Sequence, residues 1–322
     1  FEYKEKDIPV ADRPEIDRWI LSLLNSLIKE CKEHFEAYEP TRAGRAIQDF
    51  VCENLSNWYV RLNRKRYWGG EYNNDKISAY QTLYTCLITV AKLMAPIAPF
   101  FADQLYKDLN KGAGKEQYSS VHLAQFPSCC DNLIDKNLEE CMQLAQQSSS
   151  MILALRRKAD KKVRQPLQKA IIPAADEKML SQLNYVANLI KTEVNIKELE
   201  IVTSDNTSIS LVKRIKPNFK TLGKKFGKQM KEIASVIATF SQEDISRIEK
   251  DGNYTLNLND GPIVIEISDV EIATEDMPGW LVANEGTLTI ALDVTVTEHL
   301  RREGVARELI NRIQNIRKEI GL

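Results

Sequence analysis

Apolar residues recur at spacings of three and four through the first third of the chain, which is typical of amphipathic helices. Pro40 interrupts the pattern, and Pro96 and Pro99 interrupt it again. The predicted helices cover Ile16–Phe35, Ala43–Leu62 and Ala79–Met94, and a shorter one reaches Leu109. This pattern predicts a helical bundle of roughly 110 residues.

The period changes further along the chain. A short extended segment, Ser120–Pro127, and a helix, Leu138–Lys162, precede a region in which apolar and polar residues alternate as in strands. Predicted strands are Ala170–Pro173, Glu198–Val202, Ile209–Val212 and Leu288–Val296, with a hairpin of Tyr254–Leu258 and Ile263–Ile267 around Asp260-Gly261, and a last helix, Glu298–Ile320. The predicted fold is therefore an α-helical bundle, residues 1–145, followed by an α+β domain, residues 146–322.

Composition limits the class of protein. The 322 residues are 43% hydrophobic and 28% charged, which is ordinary for a globular protein. The longest uncharged apolar stretch, Leu93–Ala102, holds two prolines, and the N-terminal residues lack the apolar core of a signal peptide. We therefore expect a cytoplasmic protein without a membrane span. Because the first residue is Phe1 rather than Met, we expect either a fragment of a longer chain or a processed product.

No catalytic or metal site is expected from the residues. The chain has three histidines, at 34, 122 and 299, and none belongs to a nucleophile or metal-ligand pattern. Cys129, Cys130 and Cys141 lack the paired spacing of a zinc site. We expect the six cysteines to be reduced thiols.

Basic residues alternate with aromatic ones at the end of the second predicted helix, from Trp58 to Trp68. Aromatic rings stack on unpaired bases and guanidinium groups bind phosphates, so this mixture suits a single-stranded RNA loop. The alternative is a solvated cationic helix end whose aromatic residues lie in the core.

The formal net charge of −1 hides a strong asymmetry. Arg156–Lys169 holds seven basic residues and one acidic residue, and Lys213–Lys231 holds eight basic residues and no acidic one. Glu243–Glu303 compensates with fourteen acidic residues against four basic ones. The basic stretches indicate an anionic partner such as RNA, and we expect the acidic stretch to face away from it or to brace the basic elements.

Several ordered motifs resemble the anticodon-binding domain of class I aminoacyl-tRNA synthetases, and most closely that of isoleucyl-tRNA synthetases. They are Asp17-Arg-Trp-Ile-Leu-Ser22, Leu55-Ser-Asn-Trp-Tyr-Val-Arg61, Arg64-Lys-Arg-Tyr-Trp68, Ala95-Pro-Ile-Ala-Pro-Phe-Phe101 and Ser120-Val-His-Leu-Ala-Gln-Phe-Pro127. Val163-Arg-Gln-Pro-Leu167, Lys216–Gly227 and Glu303–Asn315 are similar to the C-terminal extension of the eukaryote-like type. The ATP-binding signatures HIGH and KMSKS do not occur.

The resemblance implies a module that holds the anticodon stem-loop of isoleucine tRNA, monomeric, with no DNA or membrane partner. The parent enzyme would join isoleucine to tRNA with ATP and Mg²⁺ in a catalytic domain, so this chain alone would be inactive and carry no cofactor. The residues implied for tRNA binding are Trp58, Arg61, Arg64, Lys65, Arg66, Trp68, Arg156, Arg157, Lys161, Lys162, Arg164, Gln165, Lys216, Asn218, Phe219, Lys220, Lys224 and Lys225.

Two alternatives remain open on sequence. The chain could be the equivalent module of a valyl- or leucyl-tRNA synthetase, since their helical bundles share the Ala95–Phe101 type of motif. It could also be a non-catalytic scaffold whose basic stretches bind acidic proteins. Selective binding of one tRNA would distinguish the leading interpretation from both.

Overall fold

A computed structural model of the protein describes residues 5–69, 71–203, 213–227, 230–241, 244–245, 247–248, 252–258, 261–274, 279–286 and 288–321. The chain divides into two compact units, Phe1–Met142 and Gln143–Leu322. No helix within these described ranges is both long enough and apolar enough to cross a bilayer.

The first unit is helical. Its helices are α1 (Glu15–Glu36), α2 (Pro40–Asp49), α3 (Arg64–Trp68), α4 (Asn74–Met94) and α5 (Pro99–Ala113), and α6 (Lys136–Lys158) begins in this unit. The predicted apolar stripe of α1 is buried, with Trp19, Ile20 and Leu24 at most 2% exposed. The prolines at 40 and 99 occupy first-turn positions of α2 and α5, where a missing N–H costs nothing.

The second predicted helix is interrupted. Between α2 and α3 the chain forms a π-helical segment, Phe50–Val60, rather than one continuous α-helix. Such segments are rare and carry no distinct apolar period, so the sequence pattern alone does not indicate them. The segment places Leu55, Trp58 and Tyr59 in the core.

The extended segment predicted at 120–127 is interrupted by a 3₁₀ turn, Val121–Leu123, although Ser120 and Ala124 on either side of it have extended backbone angles. The carboxylate of Asp103 on α5 holds this turn. That carboxylate accepts hydrogen bonds from Ser120 Oγ at 2.7 Å and from the Val121 N–H at 3.0 Å. Val121 is thereby buried against Ala102 and Tyr106, which is why a short turn rather than a strand carries this apolar residue.

The second unit is α+β. Its strands are β1 (Leu167–Ala174), β2 (Ile196–Thr203), β3 (Lys213–Pro217), β4 (Asn253–Leu258), β5 (Gly261–Glu266), β6 (Val270–Thr274), β7 (Trp280–Glu285) and β8 (Leu288–Asp293). The helices are α7 (Glu177–Val194), α8 (Phe219–Phe226), α9 (Met230–Ile237) and α10 (Glu298–Glu319). The main sheet has the order β2-β1-β8-β7, with β1 parallel to β2 and antiparallel to β8.

The residues between β2 and β7 form a second hydrophobic core. Two further strand pairs, β3 with β6 and β4 with β5, are antiparallel. Together with α8 and α9 they bury a cluster that includes Ile215, Leu222, Ile233, Leu256 and Ile265. The predicted hairpin is confirmed, although its turn at 259–260 and the predicted strand at 209–212 lie outside the described residues.

The predicted fold class is confirmed. The helical bundle is followed by a region of small sheets and helices. The sequence pattern did not indicate α7, α8, α9, β6 or β7, and it extended α6 four residues too far, to Lys162.

Candidate nucleic-acid interface

The short helix α3 presents cationic and aromatic side chains on one surface of the first unit. Arg64 and Lys65 are exposed, and Trp68 is 73% exposed. The guanidinium carbon of Arg64 lies 5.3 Å from the centroid of the Trp68 ring. This cation–π pair keeps a wide indole face and a positive charge together in solvent.

Arg61 makes a comparable pair one turn earlier. Its guanidinium lies 6.0 Å from the Trp58 ring, and its Nε donates to the Asn57 carbonyl oxygen at 2.7 Å. Trp58 itself is 8% exposed, so the ring belongs to the core and only the Arg61 charge faces solvent.

An internal ion pair fixes α3 to the bundle. Arg66 Nη1 and Nη2 donate to the two carboxylate oxygens of Asp17 at 2.7 and 2.9 Å, and Arg66 also pairs with Asp75. The Asp17 side chain is 0% exposed. Burial opposes the charged form of Arg66, yet the contacts with Asp17 and then Asp75 outweigh it and raise the guanidinium pKa above its ordinary value.

Tyr67 completes the inner face of α3. Its ring is 7% exposed and meets Trp68 and Tyr80 edge to face, at centroid distances of 6.1 and 5.4 Å. Tyr80 Oη donates to the Tyr67 carbonyl oxygen at 3.1 Å. The helix therefore directs Arg66 and Tyr67 inward, while Arg64, Lys65 and Trp68 stand on rigidly supported backbone facing outward.

A buried arginine organises the basic loop that follows α6 in the second unit. Arg156 is 1% exposed, and its Nη2 donates to the carbonyl oxygens of Lys162 at 2.8 Å, Val163 at 3.3 Å and Gln165. Nε and Nη1 are buried without a hydrogen-bond partner among the described residues. Burial lowers the pKa of Arg156 to about 10.

Further cations lie in the last turn of α6 and in this loop. Arg157 on α6 and Lys162 in the loop are exposed, and Lys161 is half-buried. Arg164 is exposed as well, and it donates to Asn311 Oδ1 at 3.0 Å and lies 3.5 Å from Glu308 on α10.

Gln165 joins this loop to the start of α10. Its Nε2 donates to the Leu300 carbonyl oxygen at 2.7 Å. Its Oε1 lies 2.3 Å from the position that a Cβ on Gly304 would occupy. Only glycine leaves room for the Gln165 side chain at this point, and the contact makes Gln165 a structural residue.

The connection from β3 to α8 carries the third group of predicted residues. Lys216 and Phe219 are exposed, the latter by 60%, and Asn218 is half-buried between them. The Asn218 N–H donates to the Asp269 carbonyl oxygen at 2.9 Å, which fixes the start of α8. Lys220 and Lys224 lie in α8, but their side chains are outside the described part of the chain.

Lys225 is neutralised by acidic neighbours. Its Nζ lies 2.8 Å from Glu266 and 2.9 Å from Asp269, whose side chain is 1% exposed. The hydrogen bonds that its ammonium donates to the carboxylates of Glu266 and then Asp269 raise the pKa of Lys225. At this position the acidic stretch braces a basic helix, as the charge pattern indicated.

The sequence of this chain is similar to those of known tRNA ligases. A family model described as the anticodon-binding domain of tRNA ligase matches residues 17–171. An isoleucine–tRNA ligase of Bacteroides thetaiotaomicron is 62% identical over 321 residues, and one of Porphyromonas gingivalis is 57% identical over 321 residues. Both alignments cover 100% of this chain.

Over its whole length the chain is similar to isoleucine–tRNA ligases, and residues 17–171 match the anticodon-binding domain of tRNA ligase. A more distant relative, the isoleucine–tRNA ligase of Thermobifida fusca, is 37% identical over 317 residues, which is 97% of this chain. The chain spans 28% of the length of the Bacteroides relative and 29% of the Thermobifida one. These relatives favour isoleucine–tRNA ligase over the valyl and leucyl alternatives.

Five residues predicted for tRNA binding have contacts within the protein. They are Trp58 in the core, Arg66 in its buried ion pair, Arg156 beneath the basic loop, Gln165 against Gly304, and Lys225 between two carboxylates. Trp58 and Arg156 are buried, Arg66 and Gln165 are partly buried, and the Lys225 side chain keeps 39% of its surface exposed. Each makes contacts within the protein that binding to RNA would disturb, and their assignment to tRNA binding stays a prediction.

The remaining predicted residues whose side chains the structure describes fall into separate groups. In the first unit Arg61, Arg64, Lys65 and Trp68 are exposed on or next to α3. In the second unit Arg157 lies in the last turn of α6, Lys161, Lys162 and Arg164 lie in the basic loop, and Lys216, Asn218 and Phe219 belong to the β3–α8 connection; Lys161 and Asn218 are half-buried.

Sequence reasoning missed the residues that hold these groups in place. Asp17 and Asp75 are separated from Arg66 by 49 and 9 positions, and nothing in their local pattern marks them as its partners. Glu271 was missed as well, although β3–β6 pairing sets it opposite Lys216. No group of three or more His, Cys, Asp or Glu side chains within the described ranges is arranged to hold a metal ion.

Proposed function

We propose that this chain binds isoleucine tRNA through the anticodon stem-loop, as the recognition part of an isoleucine–tRNA ligase. The observation that carries the proposal is the Arg64–Trp68 pair, with a centroid distance of 5.3 Å and a mostly exposed indole, on the domain that matches the anticodon-binding family. An exposed aromatic face stacks an unpaired base of any sequence, and the adjacent guanidinium binds its phosphate.

The separate basic groups have complementary tasks in this proposal. Lys65, Arg157, Lys161 and Lys162 bind phosphates and contribute salt-dependent affinity without sequence preference. Arg61, Arg164 and Asn218 have donors in fixed positions and are suited to reading base edges. Recognition of one tRNA then depends on few side chains within a largely electrostatic contact.

The whole protein would join isoleucine to tRNA at the expense of ATP, with Mg²⁺ as the ion that accompanies the nucleotide. That chemistry belongs to the HIGH and KMSKS motifs, which do not occur in these 322 residues. Alone, the chain would bind tRNA as a monomer in the cytoplasm and form no isoleucyl adenylate, without a role for DNA or a membrane.

Fluorescence anisotropy tests the proposal by measuring binding of the purified chain to the tRNAs of isoleucine, valine and leucine at one near-physiological salt concentration. We expect at least tenfold tighter binding of isoleucine tRNA. In a salt series with isoleucine tRNA, we expect the affinity to fall steeply as salt rises. Equal affinity for the three tRNAs would contradict the specific proposal. Equal affinity for a polyanion such as heparin would favour the scaffold alternative instead.

A pyrophosphate-exchange assay with isoleucine and ATP tests the second part. We expect no exchange from the chain alone, while full-length isoleucine–tRNA ligase in the same buffer serves as the positive control. Exchange by the chain would show that it holds a catalytic site.

A further inference from the structure

A cleft in the second unit combines an aromatic ring, a cation and a carboxylate. It has a volume of about 510 Å³ and is lined by Lys216, Pro217, Asn218, Phe219 and Glu271. Phe219 is 60% exposed at the first position of α8, so its ring is accessible at the cleft. A single unpaired nucleobase fits a space of this size beside one aromatic face.

The carboxylate of Glu271 does not suit a site that binds phosphate. Lys213–Lys231 contains no acidic residue, yet antiparallel pairing of β3 with β6 sets Glu271 directly opposite Lys216. Side chains at opposed positions stand on the same face of a strand pair, about 5 Å apart at Cβ. Both are exposed, and within the described residues neither makes an ion pair of 4 Å or less.

The Glu271 carboxylate would repel the phosphates of an RNA. Its favourable partners in RNA are therefore the N–H groups of the bases. A carboxylate accepts two parallel hydrogen bonds and donates none, whereas an ammonium only donates. Guanine is the base whose pairing edge has two adjacent N–H donors, N1 and N2, followed by an acceptor, O6. Adenine and cytosine offer Glu271 one amino donor each beside a ring nitrogen acceptor, and uracil offers one N–H between two carbonyls.

We propose that this cleft binds an unpaired guanine of the tRNA, with Glu271 accepting from N1–H and N2–H, Lys216 donating to O6, and Phe219 stacking on the ring. The inference rests on the proposed tRNA-binding function and adds a base-specific subsite to it. Asn218 lines the same cleft and is held by the Asp269 carbonyl oxygen at its N–H, which keeps the start of α8 in position below the base.

The test replaces unpaired guanines of isoleucine tRNA, one at a time, with inosine, which lacks only the N2 amino group. At one position we expect the affinity of the wild-type chain to fall about tenfold, as for a lost hydrogen bond to a charged group. Glu271→Gln should reduce that guanine-to-inosine ratio to near one. Glu285→Gln, which removes an exposed carboxylate on β7, should leave the ratio unchanged.

The possible failures are distinguishable. If the wild-type chain does not prefer isoleucine tRNA, the proposed function itself fails. If it prefers that tRNA but no inosine substitution weakens binding, or if the ratio survives in Glu271→Gln, only the guanine subsite is overturned. Phe219→Ala gives an independent arm: it should weaken the guanine and inosine RNAs by the same factor, with unchanged thermal unfolding, and an unaltered affinity would exclude stacking at this cleft.

Discussion

Arg66 on α3 forms a two-point ion pair with Asp17 on α1, and Tyr59 Oη donates to the same Asp17 carboxylate at 2.7 Å. The pair is removed from solvent, since the two side chains are 15% and 0% exposed. A five-residue helix has little stability of its own. This contact is therefore what fixes the helix that carries Arg64, Lys65 and Trp68.

Loss of the buried pair should destabilise the first unit. Arg66→Ala leaves the Asp17 carboxylate buried without its cation, and we expect it to lower the free energy of unfolding by about 3–5 kcal/mol. Arg64→Ala, on the outer face of the same helix, should change it by no more than about 0.5 kcal/mol. Urea unfolding followed by circular dichroism measures both, and equal effects would contradict the inward and outward assignment.

Substitution of the exposed Trp68 should weaken tRNA binding and leave stability unchanged. Trp68→Ala removes an exposed stacking surface, and we expect tRNA binding to weaken by about 1–3 kcal/mol, or roughly fivefold to 150-fold, without loss of stability. The control is Tyr185→Ala, since Tyr185 is a 58% exposed aromatic residue on α7 that lines none of the proposed groups. Anisotropy titrations measure both variants, and a similar loss in each would point to nonspecific surface effects.

Lys65 should contribute through charge alone. If its ammonium neutralises one phosphate, Lys65→Ala reduces the slope of log affinity against log salt by about 1 and weakens all tRNAs alike. The slope is measured between low and near-physiological salt. An unchanged slope would place Lys65 outside the RNA contact.

Substitutions at Gln165 and Gly304 should have non-additive effects on the free energy of unfolding. In Gly304→Ala the new Cβ displaces the Gln165 side chain and breaks its hydrogen bond to Leu300, with an expected cost of about 1–2 kcal/mol. In a Gln165→Ala background the same glycine substitution should cost little, because the obstructing side chain is gone. Additive effects in the double mutant would show that the two residues do not interact.

Asp103 should make the first unit sensitive to acid. Hydrogen bonds from Lys107 and then Ser120 lower the pKa of Asp103 to about 2, while an unfolded chain has a value near 3.9. Because the folded value is the lower one, its contribution is complete above pH of about 4 and is lost as the pH falls towards 2. The urea midpoints of wild type and Asp103→Asn should therefore converge over that interval. Asp49→Asn, at an exposed site on α2, is the control, and a constant separation between wild type and Asp103→Asn would contradict the assignment.

Local patterns predicted what depends on neighbours in sequence. Apolar spacing predicts the buried stripe of α1 and the helix α10, and a tight-turn dipeptide predicts the β4–β5 hairpin. All three are present. The π-helical segment Phe50–Val60 could not be predicted, because such segments are rare and the apolar spacing here did not distinguish one from an α-helix.

For the candidate surfaces too, the sequence shows the charge of a residue, but only the fold shows its burial and its partners. The sequence shows that Arg64, Lys65 and Arg66 are cations, but only the fold separates the buried Arg66 from its exposed neighbours. Arg156 is the clearest case: it belongs to a dense basic run, yet it holds three carbonyl oxygens beneath the surface. Pairs such as Lys216 and Glu271 are 55 positions apart and meet only through strand register.

The strand order of the main sheet has a consequence for the order of folding. β1 needs β8 as its neighbour, and more than a hundred residues, including the whole second core, are synthesised between them. We therefore expect residues 213–274 to condense first as a nested module on the ribosome, and the sheet that supports the basic loop to close only after β8 has emerged. The basic loop would then be among the last parts of the chain to acquire its final shape.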